Sequence, residues 1–138
     1  MEVKEPAPSY EKKRYSIEEY LEMEQESDIK HEYYRGEIFA MSGPKVQHNI
    51  IAVNVLTLLK QKLKGSPCRP FNSDQRIHIP LNTLFTYPDI SVICGEIETL
   101  NNDEWNILNP TVLIEVLSPS TKNYDKAENS LFTDKYLL

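Results

Sequence analysis

The apolar positions of this chain change their period along its length, and each period predicts an element. Ile17, Tyr20, Leu21 and Met23 recur at helical spacing behind Ser16, with Glu19 three residues after that serine. Ser-x-x-Glu is the spacing of a capping box, in which a hydroxyl and a carboxylate satisfy each other's free backbone N–H groups. A helix is therefore expected over 16–25. His31-Glu32-Tyr33-Tyr34 and Glu37-Ile38-Phe39-Ala40-Met41 flank the dipeptide Arg35-Gly36. Two β-prone runs around a two-residue turn ending in glycine predict a hairpin. Pairing Tyr34 with Glu37 sets Glu32 opposite Phe39, so Glu32, Tyr34, Glu37 and Phe39 share one face. Two carboxylates among aromatics are unusual for a plain core face.

Pro44 opens a long helix expected to run to about residue 64, where Gly65 stops it. Ile50, Ile51, Ala52, Val53, Val55, Leu56, Leu58 and Leu59 leave its middle apolar on most sides. Such a helix needs cover on more than one flank, which in so small a chain points to a second subunit packed on residues 44–64. Residues 75–79 alternate polar and apolar, as a half-exposed strand does. Residues 89–93 form a second strand candidate. Residues 112–117 form a third, nearly continuous in apolar side chains, as suits a central strand covered on both faces. Residues 81–85 and 95–110 read as polar connections. Another helix is expected after Ser118-Pro119-Ser120-Thr121, and residues 1–14 read as a loose leader before a single domain over 15–138.

A chain of 138 residues is one domain's worth, and 40% hydrophobic content supports a modest core. Collagen-like, mucin-like and wholly disordered classes are excluded. No apolar run approaches the ~20 residues of a membrane span, and the polar start with its two prolines is not a secretory signal. A cytoplasmic protein without a membrane partner is expected. Cys68 and Cys94 have no metal-type spacing, so two thiols in a reducing compartment is the default expectation, with a single disulfide as the alternative that nothing in the sequence supports. The charge balance, 15 − 21 = −6, argues against a general nucleic-acid coat, whose affinity comes from clustered Lys and Arg. It leaves room for an enzyme that meets phosphates through bound cations.

Two acids stand where a core does not want them. Glu115 lies inside the most apolar strand candidate, and a lone buried carboxylate must be paired, protonated or metal-bound. Asp89 heads another apolar strand directly after Pro88. If those strands are neighbours, both carboxylates point into one pocket, and an oxygen-only set suits Mg²⁺ or Mn²⁺ rather than Zn²⁺. A divalent ion there polarises a phosphoryl oxygen and acidifies a water. The bland readings are a turn residue for Asp89, an ion pair for Glu115, and a solvated hairpin face for Glu32 and Glu37. Only Glu115 resists its bland reading alone. His48 is expected as a helix-start residue bonded to backbone, Asp74 as a turn former or supporting acid, and Trp105 as a loop residue packed on the core.

These residues carry a resemblance. Pro88-Asp89 followed by Glu115 on an apolar strand looks like the PD-(D/E)XK nuclease signature. More narrowly, His31-Glu32-Tyr33-Tyr34-Arg35-Gly36-Glu37, His48, Tyr87-Pro88-Asp89-Ile90-Ser91-Val92 and Ile114-Glu115-Val116-Leu117-Ser118-Pro119-Ser120-Thr121 resemble the bacterial putative restriction endonuclease family. The resemblance implies an α+β (α/β) fold: a restriction-endonuclease-like mixed β-sheet flanked by helices, with the N-terminal helix and β-hairpin. It implies that Asp89 and Glu115 are metal carboxylates, that the Val116 carbonyl is a further ligand, and that Glu32 completes the site. The implied reaction is Mg²⁺-assisted (or Mn²⁺-assisted) hydrolysis of a DNA phosphodiester, in a chain often dimeric.

The chain departs from that pattern in two ways. The general signature has a lysine two residues after the glutamate, where Leu117 stands. The family instead places its lysine on the following helix, at the position of Asn129, which has a donor but no charge. Lys126 lies one turn earlier on roughly the same face and is the candidate to supply that cation, with Lys122 a turn before it. Family members also continue past this helix, so a C-terminally incomplete domain is expected. Two further hypotheses follow: a non-catalytic relative that keeps the fold, and a dimeric binding module built on helix 44–64.

Overall fold

The structure is a computed structural model, and residues 13–117 are described. The helix expected after residue 118, with Lys122, Lys126 and Asn129, lies outside them. In chain order the elements are α1 (Ile17–Glu26), β1 (His31–Tyr34), β2 (Glu37–Ala40), α2 (Val46–Lys62), β3 (Cys68–Phe71), β4 (Arg76–Ile79), β5 (Leu84–Thr86), β6 (Ile90–Cys94), β7 (Asn106–Ile107) and β8 (Val112–Ile114). The strands form a five-stranded sheet, β2-β1-β5-β4-β7, and a three-stranded sheet, β3-β6-β8. The first is mixed, because β4 and β7 run parallel; the second is antiparallel throughout. The α+β class with a mixed sheet is as expected, and its strands divide between two ladders.

Local chemistry explains the first elements. Glu19 N–H donates to Ser16 Oγ (3.0 Å) and Ser16 N–H to Glu19 Oε1 (2.8 Å), completing the capping box. The hairpin has the expected register, Tyr34 opposite Glu37 and Glu32 opposite Phe39. Its turn takes positive φ at both Arg35 (+48°) and Gly36 (+87°), the primed geometry that matches strand twist. A Cβ at Gly36 would also stand 3.2 Å from the Arg14 side chain, so glycine suits this corner twice over.

Two clusters make the core. Ile77, Ile79, Leu84, Ile93, Ile107 and Leu113 pack together, drawing on both sheets. Tyr20, Tyr33 and Phe85 form the second cluster, which seats α1 on the five-stranded sheet. Three strands escaped the sequence pattern. Residues 81–85 are not a polar connection throughout, because Leu84 and Phe85 are buried in β5. Likewise β7, buried at Asn106 and Ile107, lies inside the expected connection 95–110, and β3 precedes the first strand expected after α2. Each is two to four residues long, too short to display a period. Trp105 does not pack on the core: it is 63% exposed.

The cysteine expectation is corrected. Cys68 and Cys94 form a disulfide across the β3–β6 ladder, where they are register partners. Strand pairing brings them together, and their spacing in sequence carries no sign of it. The α2 helix starts at Val46 behind an N-cap at Lys45, two residues after Pro44. His48, Ala52, Val55, Leu56, Leu59 and Leu63 make a half-buried stripe at helical spacing. No α2 residue is fully buried, and Ile50, Val53 and Leu58 are about half exposed at 49%, 51% and 54%. Cover on several flanks is thus absent within the described residues. No helix among them is long and apolar enough to cross a membrane.

A polar chain anchors α1. Buried Glu24 accepts from the His31 N–H (2.7 Å) and from the Tyr87 hydroxyl (2.7 Å), and its other oxygen meets His31 Nδ1 (2.9 Å). Arg76 donates to the Tyr87 oxygen (3.1 Å) and to Asn106 Oδ1 (2.6 Å). Burial first, then the bond to Glu24, push the Tyr87 hydroxyl up to about 12. Removing the carboxylate strands three donors in a dry place. Glu24→Ala is therefore expected to cost about 3 kcal/mol in urea unfolding. A loss under ~1 kcal/mol would show that water replaces it.

Candidate active site

The chain passes between the two sheets several times, and one of these crossings carries the acids. β5 of the five-stranded sheet ends at Thr86, Tyr87 and Pro88 follow, and β6 of the three-stranded sheet begins at Ile90. Asp89 stands at this crossing. Beside it the β6–β8 ladder pairs Ile90 with Ile114, Ser91 with Leu113 and Val92 with Val112. One step further along that antiparallel register, Asp89 meets Glu115. The two acids are 26 residues apart in sequence, and the Asp89 N–H donates to Glu115 Oε1 at 3.3 Å. In return the Val116 N–H donates to Asp89 Oδ2 at 2.7 Å. This explains why β8 ends at Ile114 rather than at the expected residue 117: the Val116 N–H goes to a carboxylate.

Glu32 comes from β1, beside β5, and accepts a short hydrogen bond from the Thr86 hydroxyl at the end of β5. Its charge reaches Glu115. Burial, then the Asp89 charge and, more weakly, Glu32, push the Glu115 carboxyl well above the usual carboxylate range, while the Asp89 N–H bond draws it back in part. His48, in the first turn of α2, reaches Asp89 Oδ2 through Nε2 at 3.1 Å. The expected backbone bond for this histidine is replaced by a carboxylate contact between α2 and the strand crossing.

The structure thus brings Asp89, Glu115, the Val116 main chain and Glu32 into one neighbourhood and adds His48. Glu37 opens the sheet-edge strand β2 and is half-buried there. Asp74 pairs with Lys30 at 2.8 Å while its N–H donates to Asn72 Oδ1 at 2.9 Å, a turn with a surface ion pair. Lys126 lies outside the described residues. Sequence reasoning overlooked Thr86 as a partner of Glu32, and it discounted His48. The signals for His48 were its place near the start of the long helix and its inclusion among the residues that carry the family resemblance.

The donor set can be tested against a divalent cation. Among the described residues no three His, Cys, Asp or Glu side chains form a ready-made ligand cluster. A pair of carboxylates does fit Mg²⁺, which is commonly held by one or two carboxylates, with waters and substrate phosphates filling the other positions. The strongest sign is electrostatic: two acids lie side by side at the strand crossing, and the neighbouring charges that act on Glu115 are acids that raise it.

Comparison with known proteins places this architecture among nuclease-like α+β domains. It superposes on the crystal structure of a putative nuclease belonging to DUF820 from Anabaena variabilis with a TM-score of 0.67 and 26% identity, over 86% of this chain and 67% of that one. The chain belongs to the family described as "Uma2: Putative restriction endonuclease", whose model matches residues 17–134. Two relatives come from Synechocystis. The uncharacterized protein slr1290 is 38% identical over 139 residues, covering 96% of this chain and 72% of that protein. The uncharacterized protein sll1609 is 33% identical over 108 residues, covering 78% of this chain and 61% of its own length.

The raised Glu115 carboxyl gives a pH signature. The folded state holds this proton more tightly than the unfolded chain, so its contribution to stability falls as pH rises from the ordinary carboxylate value of about 4.3 through the folded one. NMR titration is expected to show Glu115 protonating above that ordinary value, and to show its midpoint moving down in Asp89→Asn. An unmoved midpoint would assign the shift to burial alone.

Proposed function

We propose that this chain is a divalent-cation-dependent endonuclease that hydrolyses DNA phosphodiester bonds. The observation that carries the reading is the register pairing of Asp89 with Glu115, two carboxylates whose mutual repulsion a cation relieves. Asp89, Glu115 and the Val116 carbonyl would hold Mg²⁺ or Mn²⁺, and Glu32 would orient what approaches from the hairpin side. The bound cation supplies Lewis acidity at a phosphoryl oxygen and a more acidic water. Membership of the family described as "Putative restriction endonuclease" supports the substrate class.

The chain's own residues supply the rest. The Val116 N–H fixes the direction of the Asp89 carboxylate, and the Asp89 N–H fixes that of Glu115. The net reaction adds water across one P–O bond: the water oxygen joins phosphorus, the ester oxygen leaves, and that oxygen takes up a proton. A cation near the phosphoryl group offsets charge that grows there. Leu117, in the usual lysine slot, cannot do so, and Lys126 is the residue we assign to it in place of Asn129.

Cleavage of supercoiled plasmid with Mg²⁺ or Mn²⁺ tests the reading. We expect nicking that chelator abolishes and that Glu115→Gln lowers by about 100-fold or more. If the natural chain cuts nothing and Asn129→Lys cuts, the fold is intact and the lost lysine accounts for the silence. If neither cuts with either cation, the nuclease reading is overturned. A second reading, a non-enzymatic homodimer built on α2, draws on the exposed Ile50, Val53 and Leu58. It expects a dimer by light scattering and no cation effect on stability; a monomeric mass removes it.

A further inference from the structure

We propose that His48 is a positioning residue for the cation site: it occupies one oxygen of Asp89 so that the other is presented to the metal. The inference rests on the cation reading above and extends it to a residue from a different layer of the fold.

The geometry is specific to one atom. Asp89 Oδ2 accepts from the Val116 N–H at 2.7 Å and meets His48 Nε2 at 3.1 Å. A carboxylate oxygen has about two lone-pair positions, and two donors fill them. Oδ1 is then the oxygen left for a cation. Because an ionised carboxylate only accepts, the ring must carry its proton on Nε2, the tautomer that a carboxylate partner selects.

The rest of the ring points the same way. His48 Nδ1 is buried and has no hydrogen-bond partner among the described residues. A histidine placed to cap a helix or tie down a loop would use that nitrogen on backbone. Here the ring's hydrogen bond is the one to Asp89, and an unmatched buried nitrogen is tolerated to make it. The position is also selective: His48 begins the half-buried stripe of α2, and the remaining members of that stripe, Ala52 to Leu63, are aliphatic. The histidine therefore links the orientation of the metal carboxylate to the seating of α2. Partners that hold metal ligands in place typically alter affinity 10–100-fold when removed.

Side-chain reach gives the test. A glutamine amide nitrogen extends about as far as Nε2, whereas an asparagine amide stops near the Nδ1 position. Calorimetric titration of the full chain with Mn²⁺ compares the natural protein, His48→Gln, His48→Asn and Asp89→Asn, with the melting temperature of each recorded. Expected are near-natural affinity for His48→Gln, within about 3-fold, and a loss of about 10-fold or more for His48→Asn at a similar melting temperature. Asp89→Asn should lose binding altogether. Natural affinity in His48→Asn, or equal losses in the Gln and Asn variants, overturns the positioning role while Asp89→Asn still reports the metal site. No Mn²⁺ binding by the natural protein, or unchanged binding in Asp89→Asn, overturns the cation reading, and this role with it.

Discussion

The β6–β8 register is the constraint on which the site depends. An antiparallel ladder fixes which residues face each other, and a slip of one position would turn every side chain to the other side. With Ile90 on Ile114, the acids that flank the ladder are brought face to face. The Asp89 N–H then bonds to the Glu115 carboxylate and the Val116 N–H to the Asp89 carboxylate, which ends the ladder and begins the site. Like charges in a partly buried place are unfavourable unless something positive joins them. The apolar residues Ile90, Ile93 and Leu113 hold the ladder in register, so core packing supports a strained electrostatic arrangement at its end.

The rest of the fold holds this crossing still. Tyr87 immediately precedes Pro88 and Asp89, and it is pinned between Glu24 from α1 and Arg76 from β4. The N-terminal helix, remote in sequence, thereby fixes the residues just before Asp89. At the other end of β6, Cys94 is joined to Cys68 on β3. A strand fixed at both ends has little freedom to shift its register. Buried His78 stacks on Phe85 at 3.8 Å, and its Nδ1–H donates to the Leu84 carbonyl oxygen at 2.9 Å; burial lowers its affinity for a proton. Its neutral ring is part of the packing behind β5.

Family membership and site geometry bear on different questions. The match over residues 17–134 and the 0.67 TM-score establish ancestry and architecture. The chemistry rests on what the side chains do at the sheet crossing, because one fold hosts many functions. Here the two agree on where to look, and His48 shows that the geometry holds detail which the family description does not state.

Much was legible in the sequence where the signal is local. The capping box at Ser16 and Glu19, the Arg35-Gly36 turn with its register, and the placement of Asp89 and Glu115 at the ends of apolar strands all follow from a few neighbouring residues. The acids were noticeable because a carboxylate inside an apolar run breaks the pattern. What remained hidden was non-local or too short to show a period. The strands β3, β5 and β7, the Cys68–Cys94 bond, the Glu24–Tyr87–Arg76 chain and the contact of His48 with Asp89 each join segments far apart along the chain. Hydrophobic period encodes which face a residue turns, but only tertiary packing decides which other face it meets.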